Sequence, residues 1–186
     1  PWIWRLCWPG PNLEEILNIV FLAHEYSTSS GGRIDTLGID KNDSPCIIEY
    51  KKNQNDNVIN QGLSYLLWLL DHRADFEKLC QNKKVDVKID WDSPRVVCIA
   101  ESYNKFDLDT AVILFNFAGI KIELFRYRIH EGNILYLESE NYQKIKISTY
   151  GITKKVKTQK TKDTQLQKVY SIDDHLVGMN KETLEL

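Results

Sequence analysis

The chain lacks a long hydrophobic run and a cysteine framework. No apolar stretch approaches the roughly 20 residues that a membrane helix needs, and charged residues directly follow the longest one, Leu66–Leu70. The 4 cysteines are too widely spaced for a CxxC zinc site. Because nothing resembles a secretion signal, we expect reduced thiols, a cytoplasmic protein and no membrane partner.

The chain also lacks an excess of charge of either sign. Lys and Arg number 24 against 26 Asp and Glu, which gives a net charge of −2. Bulk basicity therefore cannot drive nucleic-acid binding, and any such contact must come from local patterning. The 186 residues, 42% of them hydrophobic, are enough to bury a core without metal or disulfide bonds.

Composition divides the chain into four segments. Residues 1–11, rich in tryptophan and proline, are predicted to be an irregular lead-in, and residues 12–150 to be one folded domain. Residues 151–168 hold six lysines against one aspartate and predict a solvated linker, with nucleic-acid contact as the alternative. Residues 169–186 are predicted to be the truncated start of a second domain.

Hydrophobic periodicity predicts an α/β or α+β fold with helices packed on a mixed sheet, and we expect the α/β class. Helices are predicted at 13–20, 57–70, 73–81 and 108–118, and strands at 21–26, 33–40, 45–51, 95–100, 120–130 and 134–138. Asn12 and Asp56 are predicted N-caps, and Gly119 is predicted to end the last long helix.

Two acids and a lysine are predicted to meet on the hairpin formed by strands 33–40 and 45–51. Glu49 and Lys51 share one strand face, roughly 6.6 Å apart. If the hairpin turns symmetrically about Asn42, Asp35 lies opposite Glu49 and Arg33 lies opposite Lys51. Two carboxylates this close repel each other unless a proton or a cation bridges them. Mg²⁺ suits such a pair, although surface charges on a strand can also produce this pattern by chance.

These residues resemble a known family. The motifs are GRID at residues 32–35, IIEYK at residues 47–51, and Gln61 with Tyr65 on the following helix. In this order they are similar to the core of the PD-(D/E)XK nuclease superfamily, in its NucS-like and RecB-like branch. The likeness covers about residues 12–140 and implies a restriction-endonuclease-like mixed β-sheet flanked by helices.

The resemblance implies a role for each acidic position. Asp35 and Glu49 would bind Mg²⁺ or Mn²⁺, and Lys51 would be the catalytic lysine. Such nucleases usually take another acid from the first helix. The candidates are Glu14, Glu15 and, as a third, Glu25. Acids in a first helical turn can instead serve only to cap the helix.

The resemblance also implies nucleic-acid contacts by Arg33, Gln61 and Tyr65. Gln61 and Tyr65 are four residues apart and share a helix face. The alternatives are a core position for Tyr65 and, for Arg33, an ion pair with Asp35 or Glu49.

The function expected from this resemblance is a Mg²⁺-dependent endonuclease that hydrolyses DNA phosphodiester bonds by a metal-activated water. An inactive nucleic-acid-binding or regulatory module of the same fold is the alternative, and a structural interaction domain that uses helix 57–70 as its surface is a third. RNA as substrate and a homodimer stay open. The segment YSIDDHL at residues 170–176 is similar to the start of an uncharacterised domain often fused behind such nuclease domains.

Overall fold

The structure, a computed structural model, describes residues 11–51, 57–130, 134–140 and 169–171. The helices are α1 (Pro11–Leu17), α2 (Val58–Asp71), α3 (Arg73–Asn82) and α4 (Lys105–Ile113), and a π-helical turn (Leu114–Ala118) continues α4. The strands are β1 (Ile19–Ser27), β2 (Arg33–Asp40), β3 (Pro45–Lys51), β4 (Arg95–Ala100), β5 (Ile122–His130), β6 (Ile134–Ser139) and β7 (Val169–Ser171). They confirm the expected α/β fold, a mixed sheet flanked by helices.

The strands form one sheet in the order β1 to β7. Strands β3, β4 and β5 are parallel, and all other neighbours are antiparallel. Parallel strands end at a common edge, and Lys51 at the end of β3 therefore lies beside Ala100 at the end of β4. Helices on both faces bury β3 and β4.

Helix α2 is a core helix. Seven of its residues are buried. A Cβ atom on Gly62 would lie 2.7 Å from Cγ1 of Val96, so glycine allows α2 to approach β4 closely. The interpretation of this helix as a surface for a partner is therefore not supported, although Leu67 is 72% exposed. No helix among the described residues is both long enough and apolar enough to cross a bilayer.

The two faces of the sheet carry separate cores. Helices α2, α3 and α4 cover one face, where Ile47 of β3 lies in one hydrophobic cluster with Ile59 and Leu69 of α2. Helix α1 covers the other face, where Leu13 packs in one cluster with Ile48. Because Ile47 and Ile48 are adjacent in β3, alternation along the strand assigns Glu49 to the face of α2.

The first helix ends earlier than expected, and Val20 belongs to a strand. Asn18 has a positive φ of 54° and donates its amide to the carbonyl oxygen of Glu14, which closes the helix. Strand β1 then begins at Ile19. The helical spacing of Val20 misled the prediction because β-branched residues favour a strand once a partner strand is present.

Helix α4 begins earlier than expected. Asn104 and Asp107 form a capping box, in which each side chain accepts a hydrogen bond from the other residue's backbone amide. The α-helix begins at Lys105 rather than at residue 108, and it changes to the π-helical turn at Leu114–Ala118. Gly119 follows at φ 70°, which confirms it as the left-handed residue that ends the helix.

The segment Val169–Ser171 forms β7 and pairs with β6 in the same sheet. The sequence assigned residues 169–186 to a second domain. Val169–Ser171 extend this sheet, and the domain assignment of the residues that follow stays a prediction. The predicted linker (151–168), the rest of the predicted second domain (172–186), the lead-in up to residue 10 and the predicted cap Asp56 lie outside the described residues.

Candidate functional site

Asp35 and Glu49 come together between β2 and β3. The strands pair Thr36 with Ile48 and continue in that register toward a turn around Asn42. This register places Asp35 opposite Glu49, as the symmetric hairpin predicted. We call these two residues the carboxylate pair.

The carboxylate pair lies where β2 and β3 separate. Within the described strands, their backbone pairing stops before Asp35, whereas β2 still pairs with β1 at Arg33 and β3 still pairs with β4 at Lys51. Carboxylate oxygens of the pair accept hydrogen bonds from the backbone amides at this point. The amide of Asp35 donates to Oε1 of Glu49 at 3.1 Å, and the amide of Tyr50 donates to Oδ2 of Asp35 at 2.9 Å.

Glu49 is fully buried, with 0% of its surface exposed. Its strand neighbour on the same face is Cys98 of β4, whose Sγ lies 3.9 Å from the carbonyl oxygen of Val58 at the start of α2. No described residue donates a hydrogen bond to Oε2 of Glu49. A buried carboxylate oxygen without a donor is unfavourable unless a proton or a cation reaches it.

Both carboxyl groups hold protons more tightly than usual. Burial raises the pKa of Glu49, and the negative charge of Asp35 raises it further. Burial also raises the pKa of Asp35, although the amide of Tyr50 and the charge of Lys51 oppose this shift. The carboxylate pair therefore favours one shared positive charge, supplied by a proton or a cation.

Two cationic residues act on the carboxylate pair. Lys51 is half-buried, and its charge lowers the pKa of both carboxyl groups. The charge of Arg33 lowers the pKa of Asp35. The guanidinium of Arg33 is largely exposed and lies 3.5 Å from Oε1 of Glu25.

Gln61 and Tyr65 join the site from α2. The buried hydroxyl of Tyr65 accepts hydrogen bonds from the amide of Arg33 and from Nε2 of Gln61, each at 3.1 Å. A Cβ atom on Gly32 would lie 2.7 Å from Cε1 of Tyr65, so the close approach of this loop depends on glycine. Tyr65 thus holds the start of β2, and the expected contacts of both side chains with nucleic acid stay predictions.

The structure does not bring Glu14 or Glu15 to the carboxylate pair. Both are exposed on α1, which packs through Leu13 and Leu17 on the opposite face of the sheet. Among the three upstream candidates, Glu25 lies near the pair, because the register of β1 with β2 puts it opposite Asp35. The described residues contain no group of three or more His, Cys, Asp or Glu side chains that could hold a metal ion.

A closed hydrogen-bond circuit fixes the loop between β1 and β2, and no sequence motif signals it. Nε1 of Trp68 donates to Oγ of Ser29 at 2.9 Å, and this oxygen lies 3.0 Å from Nε2 of His72. Nδ1 of His72 lies 2.8 Å from the carbonyl oxygen of Trp68. Because a carbonyl only accepts, Nδ1 carries the proton and Nε2 accepts from Ser29.

Comparison with known proteins identifies one informative relative. An uncharacterised protein from Haemophilus influenzae is 32% identical over 183 residues, which cover 94% of this chain and 58% of the relative. The chain thus spans little more than half of that relative's length. No protein-family model matches the chain. No solved structure matches it.

Proposed function

We propose that this chain is a Mg²⁺-dependent nuclease domain of the PD-(D/E)XK type that hydrolyses phosphodiester bonds in DNA. The observation that carries the proposal is Oε2 of Glu49, a fully buried carboxylate oxygen without a donor among the described residues, beside the carboxyl group of Asp35. One proton shared with Asp35 would satisfy this oxygen, and a bound cation is the alternative that the proposed nuclease uses.

The donor set fits Mg²⁺ or Mn²⁺. Asp35 and Glu49 offer hard oxygen ligands, and Mg²⁺ typically binds through one or two carboxylates while keeping waters and contacting substrate phosphate. A pair of acids, rather than a cluster of three, is sufficient for such a site. When bound, the cation would polarise the scissile phosphate and activate a water for attack.

The cationic residues supply the rest of the chemistry. Lys51 follows Glu49 by two residues in β3 and shares its face, and its charge lowers the pKa of both carboxyl groups. Its ammonium can therefore stabilise negative charge that develops on the phosphate or orient the attacking water. Arg33 presents an exposed guanidinium at the same edge, and its planar set of donors suits phosphate oxygens.

The cysteines support a reducing compartment, which we propose to be the cytoplasm. Cys46, Cys80 and Cys98 are free and buried. Burial raises the pKa of Cys80 to about 11, which disfavours the reactive thiolate.

A cleavage assay tests the proposed function. The parent, Glu49→Gln, Lys51→Ala and the control Lys121→Ala are incubated with Mg²⁺ or Mn²⁺ and with duplex, forked or single-stranded DNA, or RNA. Lys121 is exposed and precedes β5, at the sheet edge opposite the site. We expect Glu49→Gln and Lys51→Ala each to lower the rate by about 100-fold or more, and the control to leave it unchanged.

A parent that binds nucleic acid but never cuts it would contradict the enzyme and leave the binding module. Cleavage that survives Glu49→Gln would remove the carboxylate pair from the chemistry. Cleavage of RNA but not DNA would keep the mechanism and change the substrate.

A further inference from the structure

Glu25 occupies an unusual position in β1. The neighbouring residues pair regularly with β2, His24 with Thr36 and Tyr26 with Ile34, and Glu25 lies between them with a positive φ of 47°. Residues other than glycine and asparagine adopt this left-handed conformation reluctantly. The position is therefore not explained by backbone preference.

The side chain of Glu25 meets Arg33 in a loose, exposed ion pair. Their closest atoms are 3.5 Å apart, and the side chains are 45% and 61% exposed, respectively. Charge-assisted hydrogen bonds are typically about 2.7–2.9 Å long, so this contact is weaker than such a bond. Exposed pairs of this kind contribute little stability and exchange partners readily.

The backbone of Arg33 is anchored to α2, whereas its guanidinium is exposed and contacts only Glu25 among the ion pairs of the described residues. The Arg33 amide donates to the hydroxyl of Tyr65, which anchors the start of β2 to α2. The register of β1 with β2 puts Glu25 opposite Asp35, and Arg33 precedes Asp35 by two residues in β2, so both lie at the edge of the site. A phosphate group there can offer Arg33 two oxygens at once, and is a better partner than one distant carboxylate oxygen.

We propose that Glu25 is a positioning residue, which holds Arg33 beside the carboxylate pair in the free protein and releases it to a phosphate group of the substrate. This proposal rests on the proposed function, which identifies the phosphate group as a phosphodiester of a nucleic acid. It goes further in assigning Glu25 the role of an exchangeable counter-ion. Removing the charge of Glu25 should therefore strengthen phosphate binding, and this gain should require the side chain of Arg33.

The first experiment follows the Nε–Hε signal of Arg33 by NMR during a titration with inorganic phosphate at low salt. The proteins are the parent, Glu25→Gln and the control Glu14→Gln, which removes an exposed acid on the opposite face of the sheet. We expect Glu25→Gln to tighten the apparent phosphate affinity about 2- to 5-fold, the range for loss of an exposed ion pair, and the control to have no effect.

The second experiment is a double-mutant cycle on a short DNA oligonucleotide without metal, with the parent, Glu25→Gln, Arg33→Ala and the double variant. The gain from Glu25→Gln should disappear in the Arg33→Ala background. A gain that persists in the Arg33→Ala background overturns the inference. So does an Arg33 signal that responds to phosphate equally in Glu25→Gln and Glu14→Gln, or that responds in neither. Failure to cleave would overturn the proposed function alone, because neither experiment measures cleavage.

Discussion

The backbone amide of Asp35 donates a hydrogen bond to Oε1 of Glu49 at 3.1 Å, where an antiparallel partner strand would normally offer a carbonyl. This contact holds two carboxyl groups at the point where β2 and β3 separate. It satisfies one oxygen of Glu49 and leaves Oε2 without a donor among the described residues. The arrangement is unfavourable when both carboxyl groups are ionised, and one proton or one bound cation would relieve it.

Replacing Glu49 by glutamine should stabilise the metal-free protein. The amide side chain keeps an acceptor for the amide of Asp35, loses the buried charge and gains a donor beside the Asp35 carboxylate. We expect Glu49→Gln to raise the free energy of unfolding by about 1–3 kcal/mol at mildly alkaline pH with a chelator present, measured by urea denaturation.

Glu123→Gln is the matched control. Glu123 is a partly buried acid whose two oxygens lie 2.7 and 3.0 Å from the guanidinium of Arg95, so its charge is paired. This change should lower stability, opposite in sign to Glu49→Gln. A loss of stability in both variants would contradict the account of Glu49 as an uncompensated charge.

The stability of the metal-free protein should depend on pH through the carboxylate pair. The native pKa of Glu49 is raised, so the native state keeps a proton that the unfolded state loses above the ordinary Glu pKa of about 4.3. The free energy of unfolding contributed by this group therefore falls as pH rises from there to the raised native pKa. Denaturation series between about pH 5 and about pH 9 should show a steeper decline for the parent than for Glu49→Gln.

If the proposed metal site is right, saturating Mg²⁺ should reduce that decline, because the cation would take the place of the proton on the pair. Identical pH dependence in the parent and in Glu49→Gln would show that this carboxyl group titrates normally.

The sequence predicts much of this site because the relevant signals are local. The turn around Asn42 sets the register that opposes Asp35 and Glu49, and strand alternation puts Lys51 on the face of Glu49. The spacing of Gln61 and Tyr65 likewise places both on one face of α2. These predictions hold because each depends on a strand or helix period that tertiary contacts do not override.

The circuit of Ser29, Trp68 and His72 should hold His72 in one tautomer. We expect its imidazole to be protonated at Nδ1 when neutral, because that nitrogen faces a carbonyl oxygen at 2.8 Å. Long-range ¹H–¹⁵N correlation spectra distinguish the two tautomers. A proton on Nε2 would contradict the hydrogen-bond directions assigned to the circuit.

Removing the hydroxyl at the centre of this circuit should loosen the loop before β2. Ser29→Ala should speed amide hydrogen exchange at Gly31, in the turn between β1 and β2, since both nitrogen partners of Ser29 lose their contact. The control is Ser64→Ala, at an exposed position on α2, the helix that carries Trp68. It should leave the exchange rate of Gly31 unchanged. Equal exchange in both variants would show that the circuit does not restrain the loop.

Tyr65→Phe should destabilise the start of β2. The change removes the acceptor for the amide of Arg33 and for Nε2 of Gln61, and should cost about 1–2 kcal/mol in urea denaturation. Tyr136→Phe, on the partly exposed β6, should cost less. Equal losses would argue against a specific anchoring role for the Tyr65 hydroxyl.

The features that the sequence could not predict depend on distant contacts. Ser29 and His72 meet although they are 43 residues apart, and Arg95 joins Asp40 and Glu123 at the other edge of the sheet. No helix or strand period encodes such pairings. The position of Glu14 and Glu15 away from the carboxylate pair has the same cause, because the face on which α1 packs is decided by tertiary contacts rather than by its own sequence.

The most direct test of the central claim is a crystal soaked in Mn²⁺, with anomalous scattering recorded at the manganese edge. We expect an anomalous peak between the carboxyl groups of Asp35 and Glu49, with Oε2 of Glu49 as a ligand, and no peak there in crystals of Glu49→Gln. A parent crystal without a peak at the pair, after a soak that loads manganese elsewhere, would contradict the metal site and with it the proposed nuclease.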